Sequence, residues 1–133
     1  MYILSTESSF DAAHFLTNYD GKCKNIHGHR WRVILEIKGE PKNGMLVDFG
    51  GLKKDLKEAC DYFDHTFIIE EGSLNPELFD LLNKEFVLRI VPFRTTAENF
   101  SKYFFELMNQ KYDVESVSVY ETPNNKAEYR RWR

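Results

Sequence analysis

The groups in this chain able to do chemistry are few, and their spacing is restrictive. Cys23-Lys24-Asn25-Ile26-His27-Gly28-His29 crowds a thiol and two imidazoles together, in a chain with only two cysteines and four histidines. His27 and His29 stand two apart at the head of an alternating segment, so on a strand both rings leave the same face. An antiparallel pairing with the segment before it would bring His14 alongside. Three imidazoles occupy three corners of a tetrahedral zinc and leave one open, which is what separates a catalytic zinc from a structural one. Cys23 has two readings. Near a cation and beside Lys22 and Lys24 it serves as a base or nucleophile; as a fourth ligand it closes the site as a structural one. Cys60 continues a helical apolar stripe and reads as a small buried residue.

Two further groups stand apart from this cluster. Asp64-His65 is a natural acid–base unit in which the carboxylate orients and charges the imidazole. The alternative is a histidine that complements a helix C-terminus. Glu121 ends a strand on the apolar face of Val117 and Val119, where a carboxylate needs a partner. Either an arginine of the protein or a ligand with adjacent N–H groups would satisfy it.

These groups must be held by a small set of elements. Tyr2 to about Phe15 reads as a strand with an irregular middle, followed by a loop through Asp20-Gly21. From His29 to Lys38, His29, Trp31, Val33, Leu35 and Ile37 face one way and Arg30, Arg32, Glu36 and Lys38 the other. A helix follows Asp48, with Phe49, Leu52, Leu56, Cys60 and Phe63 at helical spacing. The run Phe67-Ile68-Ile69 passes into a loop from Glu71 to Pro76, and Phe86 to Val91 reads as a short strand. Thr95-Thr96-Ala97-Glu98 predicts a capping box, with Thr95 as the cap of a helix reaching about Lys111. Val117 to Glu121 is the last strand, followed by a turn and a short tail. Two helices on one face of an antiparallel sheet make an α+β plan.

At 133 residues, 42% of them apolar and 15% aromatic, the sequence predicts one ordered domain spanning 1–133. A formal net charge of -3 gives no basic field for nucleic acid. No stretch approaches the ~20 apolar residues of a membrane span, and the N-terminal residues do not form a signal peptide. Two widely separated cysteines suit a reducing compartment. The expectation is a soluble cytoplasmic protein.

In order along the sequence, Phe10-Asp11-Ala12-Ala13-His14, Cys23-x-x-x-His27-Gly28-His29, Met45-Leu46-Val47-Asp48-Phe49 with Leu52-Lys53, Asp64-His65, Thr96-Ala97-Glu98-Asn99 and Glu121-Thr122 together resemble the 6-pyruvoyltetrahydropterin synthase superfamily. The resemblance implies the tunnelling fold (T-fold), a four-stranded antiparallel sheet with two helices on one face. Such sheets assemble into a multi-subunit barrel, and two trimers stack as a homohexamer with active sites at subunit interfaces. It further implies Zn2+ on His14, His27 and His29, Cys23 as the catalytic thiol, and Asp64 and His65 as its acid–base partners. Glu121 would anchor a pterin ring, with Thr96 and Glu98 as further substrate contacts.

The three-residue gap between Cys23 and His27 is similar to that of the bacterial 6-carboxy-5,6,7,8-tetrahydropterin synthases of queuosine biosynthesis. Ile26 stands where a dual-function subgroup has Glu. Phe63, Ile68-Ile69 and Thr95 stand where Leu, Leu-Asn and Pro are frequent. The implied activity is a zinc-dependent carbon–carbon lyase acting on 7,8-dihydroneopterin triphosphate. Triphosphate elimination without carbon–carbon cleavage is the nearest rival, and a zinc-stabilised assembly module is the non-enzymatic one. A cupin-like oxygenase also begins from His-x-His, but it needs a later strand histidine that His65 does not supply. Lys22, Lys24, Arg94 and the tail arginines Arg130, Arg131 and Arg133 are candidate cations for the triphosphate.

Overall fold

The computed structural model describes residues 1–132; Arg133, one of the candidate cations, lies outside the described residues. The first two strands, β1 (Tyr2–His14) and β2 (His27–Gly39), are long and pair antiparallel over their whole length. β1 runs without the irregular middle that its sequence suggested. On β2 the alternation is realised: Trp31, Val33, Leu35 and Ile37 are all buried, while the residues between them are not.

α1 (Phe49–Asp61) follows, capped by Asp48, whose side chain accepts from the Gly50 N–H. Leu52, Leu56 and Cys60 are buried and Phe63 is buried just past the helix end, whereas Phe49, expected in the same stripe, is exposed. α3 (Ala97–Met108) buries Phe100, Phe104 and Phe105. α1 packs on β1, and α3 packs on β5 (Val114–Thr122) and β6 (Asn125–Arg130). At the centre Phe10 stacks near Trp31 with ring centroids 6.0 Å apart, and Trp31 meets Phe100 at 5.0 Å. Full burial of a side chain of this size stabilises the fold by roughly 1.5–3 kcal/mol.

The architecture is α+β, but richer than a four-stranded antiparallel sheet with two helices. With β3 (Thr66–Glu70) and β4 (Leu88–Val91), six strands form one sheet in the order β4-β3-β1-β2-β5-β6. β3 pairs parallel with β1 and with β4, so the sheet is mixed. Parallel neighbours need a crossover of a dozen or more residues, usually a helix. Here that crossover carries α2 (Pro76–Glu85), started by Asn75, whose side chain accepts from the Glu77 N–H. The expected tail is also ordered: Pro123-Asn124 turns the backbone so that β6 pairs antiparallel with β5.

One cap moves by a residue. Thr96, not Thr95, caps α3, its hydroxyl accepting from the Asn99 N–H at 3.2 Å. Thr95 turns inward instead.

Candidate metal centre and its acid–base neighbour

The register of β1 and β2 builds the centre. His14 lies directly opposite His27, and Ala12 opposite His29, so all three imidazoles stand at one end of the core-facing side of the sheet. Ring centroids are 4.6 Å apart for His14 and His27, 5.4 Å for His14 and His29, and 4.9 Å for His27 and His29. Trp31 forms the floor, edge-on to His14 at 4.8 Å and to His29 at 5.5 Å.

A fourth group joins them. Glu121, near the end of β5, places Oε1 2.9 Å from His29 Nε2 and 3.6 Å from His14 Nε2. Its partner on the apolar face is thus a pair of imidazoles, where the sequence suggests an arginine or a ligand. Ligand atoms of His14, His27, His29 and Glu121 all lie within 4.8 Å of one another, and Cys23 is not in this group.

The residues present fit a divalent metal. All three Nε2 atoms are buried without a hydrogen-bond partner of good geometry. Buried polar nitrogens are normally satisfied; here two have only the Glu121 carboxylate close by and His27 Nε2 has no partner, so their convergence points to a shared cation. His27 Nδ1 lies 2.7 Å from the Asn25 carbonyl, which can only accept, so Nδ1 carries the proton and Nε2 its lone pair. Nitrogen and carboxylate donors in a close tetrad suit zinc. The electrostatics agree. Burial lowers the pKa of His29, the Glu121 carboxylate opposing it, which favours the neutral, ligating ring. His14, and then His29, hold the Glu121 carboxyl below its usual range against the cost of burial.

The acid–base unit is built separately, at the start of β3. His65 adopts a left-handed backbone conformation, φ +59°. Its N–H donates to the Asp11 carbonyl at 2.6 Å, and the Asp11 N–H donates to Asp64 Oδ1 at 2.8 Å. This double clamp to β1 holds a conformation that is uncommon for a residue with a side chain. Asp64 Oδ2 lies 2.9 Å from His65 Nδ1, and that carboxylate raises the His65 pKa. The Asp11 N–H, and then His65, lower the pKa of Asp64. The His65 side chain is 80% exposed, and it shares a cleft of about 400 Å³ with His29 and Arg30. Arg30 is itself held by a two-point ion pair to Asp11, at 2.9 and 3.0 Å.

Cys60 continues the buried stripe of α1, as its spacing predicts. It is fully buried, and burial pushes its thiol up to about 12. Cys23 is half-buried in a single 3₁₀ turn, Lys22–Lys24, where its carbonyl accepts from the Leu16 N–H. Thr96 caps a helix and Glu98 is exposed in that helix's first turn; neither belongs to the metal tetrad. Of the candidate cations, Arg130 pairs with Glu128 and Arg131 with Asp113. A larger cleft of about 670 Å³, lined by His29 and Glu121, is also lined by Arg32, Lys53 and Lys57. Arg32 is paired with Glu7, Lys53 donates to the Glu7 carbonyl, and Lys57 is paired with Asp61. Lys53 belongs to the Leu52-Lys53 motif of the resemblance, whereas Arg32 on β2 and Lys57 on the outer face of α1 look like solvated charge in the sequence.

A family model described as 6-pyruvoyl tetrahydropterin synthase matches residues 3–132. The chain belongs to that family. Among 6-pyruvoyl tetrahydropterin synthase relatives, the 6-carboxy-5,6,7,8-tetrahydropterin synthase of Haemophilus influenzae is 37% identical, over 97% of this chain and 99% of the relative. The enzyme of the same name from Rickettsia bellii is 35% identical, over 86% of this chain and 90% of its own length. Among solved structures, the family member from Caenorhabditis elegans superposes with a TM-score of 0.70 at 27% identity, covering 99% of this chain and 98% of that one. The Plasmodium vivax 6-pyruvoyltetrahydropterin synthase reaches a TM-score of 0.78 at 24% identity, with 98% and 97% covered, and shares the fold. Membership supports a pterin-synthase function and a pterin substrate. Among the described residues no helix is long and apolar enough to cross a membrane.

Proposed function

We propose that this protein is a zinc-dependent lyase converting 7,8-dihydroneopterin triphosphate to 6-carboxy-5,6,7,8-tetrahydropterin, with release of acetaldehyde and triphosphate, in queuosine biosynthesis in the cytoplasm. The observation that carries the reading is the convergence of the His14, His27 and His29 Nε2 atoms beside the Glu121 carboxylate. The names of the Haemophilus and Rickettsia relatives support the choice of the carboxy-forming branch.

His14, His27 and His29 hold the metal. A bound Zn2+ supplies Lewis acidity that makes the C–H and O–H groups of the substrate's side arm easier to deprotonate. Glu121 accepts the paired N–H groups on the pyrimidine edge of the pterin, turning from the imidazoles to do so. Cys23 takes the proton from that side arm, and His65, held and charged by Asp64, donates or relays one. Thr96 and Glu98 contribute further substrate contacts. Arg32, Lys53 and Lys57 edge the cleft that His29 and Glu121 also line, and they are the cations we assign to the triphosphate. The carboxyl carbon of the product bears two oxygens where the substrate's bore one, so water enters the balance.

The assembly we propose is a homohexamer, a dimer of trimers, with active sites shared between subunits. Supporting it, Leu81, Phe86, Val87 and Ile90 on α2, its following loop and the edge strand β4 are 45–63% exposed. Apolar surface of this kind is what an interface covers. The reading is tested by incubating zinc-loaded protein with dihydroneopterin triphosphate. Acetaldehyde together with a carboxypterin supports it; a pyruvoyl product without acetaldehyde favours the rival activity, and no turnover sinks both.

A further inference from the structure

We infer that Thr95 is a positioning residue that sets the tautomer and ring direction of His14, and so presents His14 Nε2 to the metal. The inference rests on reading His14, His27 and His29 as metal ligands. His14 is fully buried and Thr95 is 1% exposed, so neither side chain has water to complete its hydrogen bonds. His14 Nδ1 lies 2.9 Å from Thr95 Oγ1, and that hydroxyl also lies 3.2 Å from the Phe15 carbonyl oxygen. A threonine hydroxyl has one proton and a carbonyl can only accept, so the proton goes to Phe15. The lone pairs of Oγ1 then accept from His14 Nδ1–H, which leaves the lone pair of the neutral ring on Nε2. That is the nitrogen beside Glu121 and among the orphaned atoms of the centre.

The segment between β4 and α3 is fixed to hold Thr95 in place. The Arg94 carbonyl accepts from the Thr96 N–H at 2.8 Å and from Asn99 Nδ2 at 2.9 Å, and Thr96 caps α3. Two consecutive threonines therefore divide the work, one holding the helix and the other the histidine. Partners of the non-ligating nitrogen typically tune metal affinity by about 10–100-fold.

The test compares Thr95→Val, which keeps the shape and loses the hydroxyl, with Thr95→Ser, which keeps the hydroxyl. Zn2+ affinity is read by competition with a chromophoric chelator, and folding of the metal-free proteins by thermal melting. The valine variant should bind Zn2+ about 10–100-fold more weakly than wild type, and the serine variant should stay close to it. Valine binding as tightly as wild type, or serine falling with valine, overturns the inference. Long-range 1H–15N spectra of the metal-free wild type give a second readout should the valine variant not fold. A proton on Nδ1 of neutral His14 supports the assignment and one on Nε2 overturns it. Wild-type protein that shows the Nδ1 proton yet binds no Zn2+ overturns the metal reading and leaves the hydrogen bond as found.

Discussion

His14 and His27 are direct cross-strand partners, 13 residues apart in sequence and 4.6 Å apart between ring centroids. Register alone brings them together, because a slip of one residue would send every β2 side chain to the other face. The centre is thus a property of the β1–β2 pairing and of the core that fixes it. Phe10 opposite Trp31 is the next core-facing step but one along the same ladder.

From that relationship follows the behaviour of His27→Ala. Zn2+ affinity should fall by more than the ~10–100-fold expected from losing a partner outside the ligand set, while the metal-free protein stays folded on its aromatic core. Wild-type protein at a free Zn2+ concentration 100 times its dissociation constant should gain about 2.7 kcal/mol over the metal-free form. Calorimetric melting with and without a chelator measures both. A metal-free wild type with no cooperative transition would instead favour the zinc-stabilised assembly module.

Cys23→Ala should bind Zn2+ as wild type does and lose turnover. The structure makes this a clean variant, since the Cys23 thiol is outside the metal tetrad and the residue's tie to Leu16 runs through the backbone carbonyl. Retained turnover, measured as acetaldehyde release, removes the base assignment.

Much of the site was legible in the sequence because it follows from period and pairing. The two-residue spacing of His27 and His29, the alternation through Ile37 and the strand before them were enough to assemble three imidazoles. What escaped lies in contacts between distant segments. Thr95 and Thr96 both look like caps, and only the packing of the β4–α3 loop against His14 tells them apart. The left-handed backbone of His65 depends on Asp11, 54 positions earlier, and no local signal announces it. α2 carries a start signal in Asn75-Pro76-Glu77 and apolar residues at helical spacing in Leu78, Phe79, Leu81 and Leu82, which a loop reading of Glu71 to Pro76 passes over; none of its residues is buried. β6 is an edge strand with a mostly exposed face, which reads as tail.

Glu121→Gln separates the two things its carboxylate can do. As the pterin anchor it accepts two N–H groups, and the amide loses one acceptor and the charge. A charge-assisted bond of this kind contributes about 1.5–3 kcal/mol, or roughly 10–150-fold in kcat/KM. Zn2+ affinity should change little by comparison. If instead Zn2+ is lost as completely as in His27→Ala, Glu121 is a ligand, and the corner it fills is closed to substrate.

His65 should titrate above its ordinary value of 6.5, because the Asp64 carboxylate stabilises the imidazolium. Asp64→Asn should bring the midpoint back down, as the amide oxygen can still accept from the Asp11 N–H while the charge is gone. The two groups affect stability in opposite directions along the pH axis. The raised His65 pKa contributes below the unfolded value near 6.5, and that contribution is lost as pH rises through the folded midpoint. The lowered Asp64 pKa contributes above the unfolded value near 3.8, and that contribution is lost as pH falls through the folded midpoint. The pair therefore supports the fold most between those two values, and Asp64→Asn should flatten that part of the pH–stability curve. Histidine ring shifts followed by NMR against pH, with denaturant melts at matched pH, measure both effects. An unchanged His65 midpoint in the variant would show that Asp64 does not charge the imidazole.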